Sequence, residues 1–508
     1  MRSLSDKQRW FCVVCQKDFF DKEVGEMLTK IKSLKYYICL VVTTIFILGS
    51  HFLPAFGKVT EYGMTVLGIF FGLIFGFATV GLISSSFLAM ISLGLTQYGS
   101  VSVVIKDAIG NNIILFTIGV LILSATLEET GVIKKMVYML AANKIIIGRP
   151  WMLTFIFLLI AYVASFFLNV IIPSLLLWSL ISELCSQAGY KVGDKWPAVM
   201  YFGIVYVATA ASFVLPFQIG VIVNFGMLEV VSKGTIMYET IPYIFWATVC
   251  SILISMSYWF FVRYIVKPDV EPLKKISLEK DDVFKFTSAQ IYSIALFFSL
   301  IILLVGSSII PGDTVLANII SKLETSGLTL GIIIIALCIR YKNNPVFNFS
   351  TLFSKGMAWD IILMLSTIFL MASILTDPST GITQMVQELC SPIVEKMPSI
   401  AFVIMVTFTI ALISNVTMNA AVSCTMIPVV YMLVGAGKFN LVLLVAMINF
   451  IGGMAFLLPC SSGSSALLYG RTEWISRTEI HRYSVFAFIV TYVIIVLIGL
   501  PLGNILFK

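Results

Sequence analysis

Residues 411–424 read ALISNVTMNAAVSC, and this stretch decides how the chain folds. It lies near the centre of Ser399–Val434, a run of 36 residues without a Lys, Arg, Asp or Glu. A helix of that length would be about 54 Å long, whereas the apolar core of a bilayer is about 30 Å thick. Two full spans would need roughly 44 residues, so the run is too long for one crossing and too short for two. We therefore predict a re-entrant hairpin whose tip carries Ser414, Asn415 and Thr417.

The composition of the chain places this hairpin in a membrane. The 508 residues are 59% hydrophobic and only 12% charged, with a mean hydropathy of +1.01. A soluble domain needs about a quarter of its residues charged to cover its surface. We expect an all-α protein of the cell membrane with about 11 transmembrane helices and two re-entrant hairpins. Simple spans are predicted near 36–54, 62–78, 80–96, 111–127, 241–262, 289–310, 325–339, 361–376 and 483–506.

Three more uncharged runs have an interruption near their middle. They are Pro150–Ser182 around Asn169, Trp196–Leu228 around FVLPFQIG (213–220), and Asn440–Gly470 around FLLPCSSG (456–463). Proline and glycine break helices, and broken backbone at membrane depth persists only where protein or a watery cavity satisfies it. The first of these runs is predicted to be a second hairpin. The other two are predicted to be helices that cross the membrane but unwind midway.

The distribution of positive charge supports this topology. When the N-terminus is inside and each hairpin returns to its own side, the inner face receives 26 of the 33 Lys and Arg residues. Treating the hairpins as single spans brings the two faces close to balance, which the positive-inside rule disfavours. Two short full spans in place of each hairpin would give the same charge count, so that alternative stays open. We expect a cytoplasmic N-terminus and an external C-terminus. The net charge of +7 is spread over short loops, so it does not indicate nucleic-acid binding.

The two halves of the chain repeat. LNV at 168–170 corresponds to SNV at 414–416, and FVLPFQIG corresponds to FLLPCSSG. Each half holds five crossings and a hairpin, and because five is odd the second half is predicted to be inverted, as in many secondary transporters. The predicted segments are a cytoplasmic N-terminal segment (1–35), a leading transmembrane helix (36–60), a first inverted repeat (61–263) with its hairpin at 150–182, a cytoplasmic linker (264–288), and a second inverted repeat (289–508) with its hairpin at 399–434.

The interruptions offer neutral groups that suit ions. Backbone N–H groups at half-helix N-termini, amides and hydroxyls can hold an anion, while unwound carbonyls and hydroxyl oxygens suit Na⁺. Asn169 and Asn415 occupy matching places in the two repeats, which favours a binding role for both. The alternative is that they are interhelical hydrogen-bonding residues with no ligand.

Two motifs resemble a known family. ISNVTMNAAVSCTMIP (413–428) resembles the Ser-Asn-Thr signature of the divalent-anion:sodium symporters, within the ion transporter superfamily. LPCSSGSSALLYG (458–470) is similar to that family's Pro-x-Ala-Thr-Pro-Pro-Asn-Ala segment. The resemblance implies a homodimeric carrier with two hairpins and an elevator-like motion. It implies a small anionic substrate, most simply a di- or tricarboxylate, with Na⁺ as the coupling ion and no other cofactor.

The resemblance also implies site residues. Anion contacts are expected from Asn169, Asn415, Thr417 and Ser462, with Gly463 and Ile219 beside them at the two interruptions. Cation contacts are expected from Ser414 and Ser461. The first signature, Leu168-Asn169-Val170, lacks both hydroxyls, so the backbone carbonyls of Leu168 and Val170 and the amide oxygen of Gln218 are the cation ligands that remain there. Alternatively, the Gln218 N–H₂ replaces the ion as a neutral donor to the anion. The second-half cation site is therefore predicted to be the stronger.

Other functions remain as alternatives. An anion exchanger or a carrier of sulfate or another inorganic anion would use the same groups. A channel or a non-transporting membrane protein is a further possibility. An enzyme is disfavoured, because the sequence has no HExxH, no Walker motif and no pair of intramembrane carboxylates. Cys12 and Cys15 form one CxxC without the second pair that a zinc site needs.

Overall fold

The computed structural model describes residues 34–132, 135, 148–275, 286–307, 314–341, 344–394, 396–434, 439–470 and 473–507. Regular structure within them is helical except for a short antiparallel pair, Arg340–Tyr341 and Asn344–Pro345. Ten of the described helices are long and apolar enough to cross a membrane. The predicted all-α, multi-pass membrane class is confirmed. Cys12, Cys15 and nearly all of the predicted N-terminal segment lie outside the described residues.

Ten helices precede the linker in the described part of the chain. Apolar helices are required in lipid because every backbone polar group must find its partner within the protein. The Thr60 hydroxyl caps helix α2 (Glu61–Thr79) by accepting a hydrogen bond from the N–H of Gly63. The ten helices are α1 (Leu34–Phe52), α2 (Glu61–Thr79), α3 (Leu82–Leu93), α4 (Val101–Ile109), α5 (Asn112–Glu129), α6 (Pro150–Phe167), α7 (Ile171–Ala188), α8 (Lys195–Ala211), α9 (Ile219–Val231) and α10 (Thr240–Val266).

Ten further helices follow in the described residues. One of them, α12, contains Glu324 at φ 54° and ψ −174°, so its helical path is interrupted there. They are α11 (Ser288–Ser307), α12 (Val315–Cys338), α13 (Phe349–Gly356), α14 (Trp359–Leu375), α15 (Ile382–Val394), α16 (Ser399–Val416), α17 (Asn419–Val434), α18 (Leu441–Gly453), α19 (Gly463–Gly470) and α20 (Arg477–Leu506).

Two helix pairs have the form of the predicted hairpins. Helices α6 and α7 join at residues 168–170, called tip 1, and α16 and α17 join at residues 417–418, called tip 2. Leu168 and Thr417 take extended backbone angles that end the first arm of each pair. The first hairpin is longer than predicted, because α7 continues to Ala188 instead of Ser182. Glu183 ends the uncharged run in the sequence but does not end the helix. The helix stops at Gly189, whose φ of +76° is typical of a helix C-terminus.

Two helices are interrupted where the sequence predicts. Residues 212–218, called break 1, separate α8 from α9, and residues 454–462, called break 2, separate α18 from α19. Helix α9 packs against α5, α14, α17 and α18, which places break 1 beside both halves of the chain. In both halves an amphipathic helix (α4 or α13) precedes an apolar helix (α5 or α14), and a hairpin, an interrupted helix and a final long helix come later. In the second half α15 lies between α14 and the hairpin. The inversion of one half relative to the other stays a prediction.

The predicted span at 80–96 is shorter in the structure. Helix α3 has 12 residues, so it is about 18 Å long and cannot cross a core of about 30 Å. Gly81 has φ +139°, a backbone conformation that separates α3 from α2, and the helix ends at Gly94. Helix α3 packs instead against α2, α4 and α14. The apolar run alone did not reveal that glycines at both ends shorten this helix.

Candidate functional site

Tip 1 is held by break 1. The Nε2 of Gln218 donates to the backbone carbonyl of Phe166 at 2.7 Å and approaches that of Ser165 at 3.4 Å. Both carbonyls lie in the last turn of α6, where helical carbonyls have no partner within the helix. The structure therefore brings tip 1 and break 1 together, as the sequence predicts. The Gln218 amide N–H₂ is used by the tip, which leaves its Oε1 as the group available to a ligand.

A cavity of about 430 Å³ lies beside tip 1 and break 1. Asn169 is exposed, and its Oδ1 accepts from the N–H of Ile171 at 3.2 Å. Ile219 and Gly220 line the cavity at the N-terminus of α9, which no side chain caps. An uncapped helix N-terminus and an amide N–H₂ are groups that bind anions. The polar lining consists of Ser124, Glu128, Asn169, Ser212 and Gln218.

Glu128 is a cavity residue that the sequence did not identify. In the sequence it stands beside Glu129 at the end of an apolar run, a position that is typical of a solvated charge at a helix end. The structure places Glu128 at the C-terminal end of α5, in the wall of the same cavity as Asn169 and Gln218. The cavity thus holds a carboxylate beside groups that favour an anion. Only the folded chain brings Glu128 into the same cavity as Asn169 and Gln218, so the sequence alone does not identify it.

Tip 2 and break 2 are joined through Asn415. Its Oδ1 accepts from the N–H groups of Phe456 and Leu457 at 3.1 and 3.2 Å, and its Nδ2 donates to the Ala411 carbonyl at 2.8 Å. The side chain is 2% exposed. A backbone bond from the N–H of Asn419 to the Ser461 carbonyl adds a second link at 2.8 Å. Asn415 therefore braces the tip against the break in this conformation.

The serines of break 2 bind the carbonyls that the interruption leaves without helical partners. The Ser461 hydroxyl lies 3.0 Å from the Ala455 carbonyl and 2.7 Å from that of Leu458. The Ser462 hydroxyl approaches the Ala455 carbonyl at 3.1 Å and the Ser464 hydroxyl at 3.0 Å. These bonds stabilise the unwound backbone. Each hydroxyl oxygen still has lone pairs for a cation.

Ser414 lies behind tip 2 in a fully buried position. Its hydroxyl makes no hydrogen bond within the described residues. A Cβ placed on Gly452 would lie 2.9 Å from the Ser423 hydroxyl oxygen and 3.5 Å from that of Ser414, so both hydroxyls lie close to the backbone of α18. Thr417 is turned back toward its own helix, with its hydroxyl 3.1 Å from the Ile413 carbonyl.

The two tip–break pairs adjoin each other. A Cβ placed on Gly463 would lie 3.8 Å from the Cδ1 of Ile171, so the N-terminus of α19 lies beside tip 1. Leu168 of tip 1 is fully buried. The predicted residues thus form two neighbouring groups, one around Asn169 and Gln218 and the other around Asn415.

A buried polar chain joins the two interrupted helices, and the sequence reasoning missed it. Asn224 of α9 donates to the Oδ1 of Asn449 of α18 at 2.9 Å, and Asn449 donates to the Tyr243 hydroxyl at 2.9 Å. Tyr243 then donates to the Phe213 carbonyl in break 1 at 2.6 Å. A second cavity of about 170 Å³ lies at this chain and shares Ile219, Gly220 and Ile361 with the first. The sequence signal is an Asn inside each apolar run, Asn224 in 196–228 and Asn449 in 440–470.

Two solved structures of transporters have a similar fold. The YdaH transporter of Alcanivorax borkumensis has a TM-score of 0.55 and 11% identity, and the match covers 87% of this chain and 98% of that one. MtrF of Neisseria gonorrhoeae, described within a class of antimetabolite efflux pumps, has a TM-score of 0.53 and 13% identity, covering 90% and 97%. At these identities the likeness shows the fold alone. No curated protein matches the sequence.

The family is shown by a sequence profile. The profile of the citrate transporter family, CitMHS, matches residues 65–452, which include both hairpins and break 1. The predicted resemblance to the ion transporter superfamily is confirmed, and so is the expectation of a membrane carrier rather than an enzyme. The chain belongs to the citrate transporter family.

Proposed function

We propose that this chain is a secondary active carrier of a small di- or tricarboxylate, with citrate as the first candidate because the family is described by it. The observation that carries the proposal is the cavity between tip 1, break 1 and α5. Its volume of about 430 Å³ falls within the range of roughly 300–1,000 Å³ that is usual for small-molecule sites. Asn169 and the α9 N-terminus at Ile219 are its anion-binding groups.

A cation is expected to bind with the anion. An ionised Glu128 would repel a carboxylate in the same cavity, and a cation beside it would remove that repulsion. We propose Na⁺ as this ion, with Glu128 and the Gln218 Oε1 as ligands near the first tip. Ser414 and Ser461 are the proposed ligands near the second tip. Hard cations of this kind prefer several oxygen ligands, and both tips provide them.

We further propose an elevator-type motion in a homodimer. The ring of Phe297 on α11 contacts Phe167 of the first hairpin and Phe217 of break 1, with centroids 5.8 and 5.2 Å apart. Both are edge-to-face ring contacts without a hydrogen bond between the rings, so α11 and the first hairpin could move apart here without leaving a polar group unpaired. The hairpins and interrupted helices would move together past α11.

The test combines binding with transport by the full chain. A thermal-shift screen against citrate, C4-dicarboxylates and sulfate, each with Na⁺ or K⁺, is expected to show stabilisation by a carboxylate that requires Na⁺. Uptake of that anion into proteoliposomes should then follow an inward Na⁺ gradient. Stabilisation by sulfate alone would favour the inorganic-anion carrier, and uptake that needs an internal anion but no Na⁺ would favour the exchanger. A steady current without exchange would indicate a channel.

A further inference from the structure

A groove of about 190 Å³ lies on the lipid-facing side of the first hairpin arm, between α6, α8 and α10. Its walls are almost entirely apolar and include Leu159 on α6, Val207 on α8 and Ile252 on α10. Along α6 the lining runs from Phe155 to Tyr162, which corresponds to about 10 Å. The groove is therefore an elongated slot suited to a hydrocarbon chain.

One end of the groove carries an unusual cation. The Arg263 guanidinium lies 5.0 Å from the ring centre of Trp259 and 5.6 Å from those of Trp151 and Tyr264. None of the ion pairs formed within the described residues involves Arg263. Tryptophan and tyrosine concentrate at membrane interfaces, so this cluster marks the headgroup level. The charge distribution assigns the same level to the cytoplasmic side.

Two hydrogen-bond donors lie in the wall of the groove, at its Arg263 end. The hydroxyl of Ser255 and the indole N–H of Trp259 are buried, and neither has an acceptor within the described residues. Both residues line the groove. A donor without a partner in apolar surroundings costs about 1–3 kcal/mol. An acceptor that enters from the lipid would relieve that cost after a small movement of the covering side chains.

The order of these groups matches one class of molecule. Ile252, Ser255, Trp259 and Arg263 follow each other at helical spacing along one side of α10, as an apolar wall, two donors and a cation. A glycerophospholipid has the complementary order of acyl chain, ester carbonyls and phosphate. We propose that this groove is a binding site for an anionic glycerophospholipid, with one acyl chain in the slot and the headgroup at Arg263. Because α6 forms one wall of the groove, the bound lipid packs against the first hairpin and stabilises its position.

The headgroup contact can be tested with full-length protein in detergent. Native mass spectrometry should show more retained phosphatidylglycerol than phosphatidylcholine of the same acyl composition, and phosphatidylglycerol should raise the melting temperature more. Arg263→Gln should remove this preference, while Arg263→Lys should keep most of it. Lys195→Gln is the control, because Lys195 is an exposed cation that the charge rule places on the same face. Equal retention of both lipids by the wild type, or an unchanged preference in Arg263→Gln, would overturn the proposal.

The slot can be tested separately. Leu159 is 43% exposed, so Leu159→Trp fills the groove without disturbing the core, and bound lipid of either headgroup should fall several-fold. Leu412→Trp is the matched control, since Leu412 is 47% exposed on the corresponding arm of the second hairpin. Lipid retention by Leu159→Trp equal to that of Leu412→Trp would show that no acyl chain occupies the slot.

Discussion

The Nε2 of Gln218 donates a 2.7 Å hydrogen bond to the backbone carbonyl of Phe166, so a side chain of break 1 holds the last turn of α6 next to tip 1. The second half makes the corresponding contact with the roles exchanged. There the Asn415 side chain, next to tip 2, accepts from the backbone N–H of Phe456 in break 2. Each half thus has an amide side chain that joins its hairpin to its interrupted helix, but Gln218 belongs to the interrupted helix and Asn415 to the hairpin.

Gln218→Leu should loosen tip 1. The substitution leaves the Phe166 carbonyl without its donor, and the loss of a hydrogen bond of this kind costs about 0.5–1.5 kcal/mol. Hydrogen–deuterium exchange of a peptide covering residues 165–172 should be faster than in the wild type. Gln187→Leu serves as the control, because Gln187 lies on α7 with only a weak contact to Glu183 at 3.3 Å. Unchanged exchange in Gln218→Leu would contradict the role of Gln218 as a tether.

Alanine substitutions should separate the two asparagines that the sequence treats as equivalent. Asn415→Ala leaves two buried N–H groups without an acceptor, so the melting temperature should fall by an amount that corresponds to about 1–3 kcal/mol. Asn169 is exposed beside the cavity, and water can replace it as acceptor for the Ile171 N–H, so Asn169→Ala should lower the melting temperature less than Asn415→Ala. It should weaken anion binding roughly ten- to a hundredfold, the cost of about 1.5–3 kcal/mol for a bond to a charged group.

Both readouts are needed for this comparison. The melting temperature without anion reports stability, and the anion concentration that gives half-maximal thermal shift reports affinity. A destabilised Asn169→Ala with normal affinity would make Asn169 an interhelical hydrogen-bonding residue. A stable Asn415→Ala with lost affinity would show that Asn415 turns toward the substrate in another conformation.

The sequence predicts the elements of the fold better than the groups that meet at the site. Run length and polar centres are local properties, so both helix pairs and both interrupted helices could be predicted. Each arm of the first pair is itself long enough to cross a membrane, so the re-entrant form of the pairs stays a prediction. The contact between Asn224 and Asn449 joins residues 225 positions apart, and no local pattern encodes it. Glu128 is an exposed charge near the end of α5, and only the fold shows that it lines the same cavity as Asn169.

Tyr243→Phe should destabilise the contact between the interrupted helices. The Tyr243 hydroxyl donates to the Phe213 carbonyl and accepts from Asn449, so its removal leaves two buried polar groups unpaired. We expect a loss of stability of about 1–3 kcal/mol, measured as a lower melting temperature in detergent. Tyr264→Phe is the control, because Tyr264 is 56% exposed. Equal melting temperatures for the two variants would mean that the polar chain contributes no stability.

Glu128→Gln should reduce the dependence of transport on Na⁺. This prediction rests on the proposed coupling, in which the carboxylate of Glu128 both binds the cation and makes it necessary for anion binding. The amide keeps the shape of the side chain but removes its charge. Uptake into proteoliposomes should therefore need less Na⁺ for anion binding, with a shallower dependence on Na⁺ concentration. Ser414→Ala should weaken the dependence independently, because Ser414 belongs to the other tip.

Glu129→Gln provides a matched control for the charge change. Glu129 is the next residue on α5, is exposed, and does not line the cavity, so its substitution alters the local potential without removing a ligand. If Glu129→Gln and Glu128→Gln shift the Na⁺ dependence equally, the effect is a general one of surface charge, which salt screens. If Glu128→Gln leaves a steep Na⁺ dependence while Ser414→Ala abolishes it, coupling belongs to the second tip alone. In that case the stronger second-half site predicted from the sequence accounts for the coupling, and Glu128 has another role.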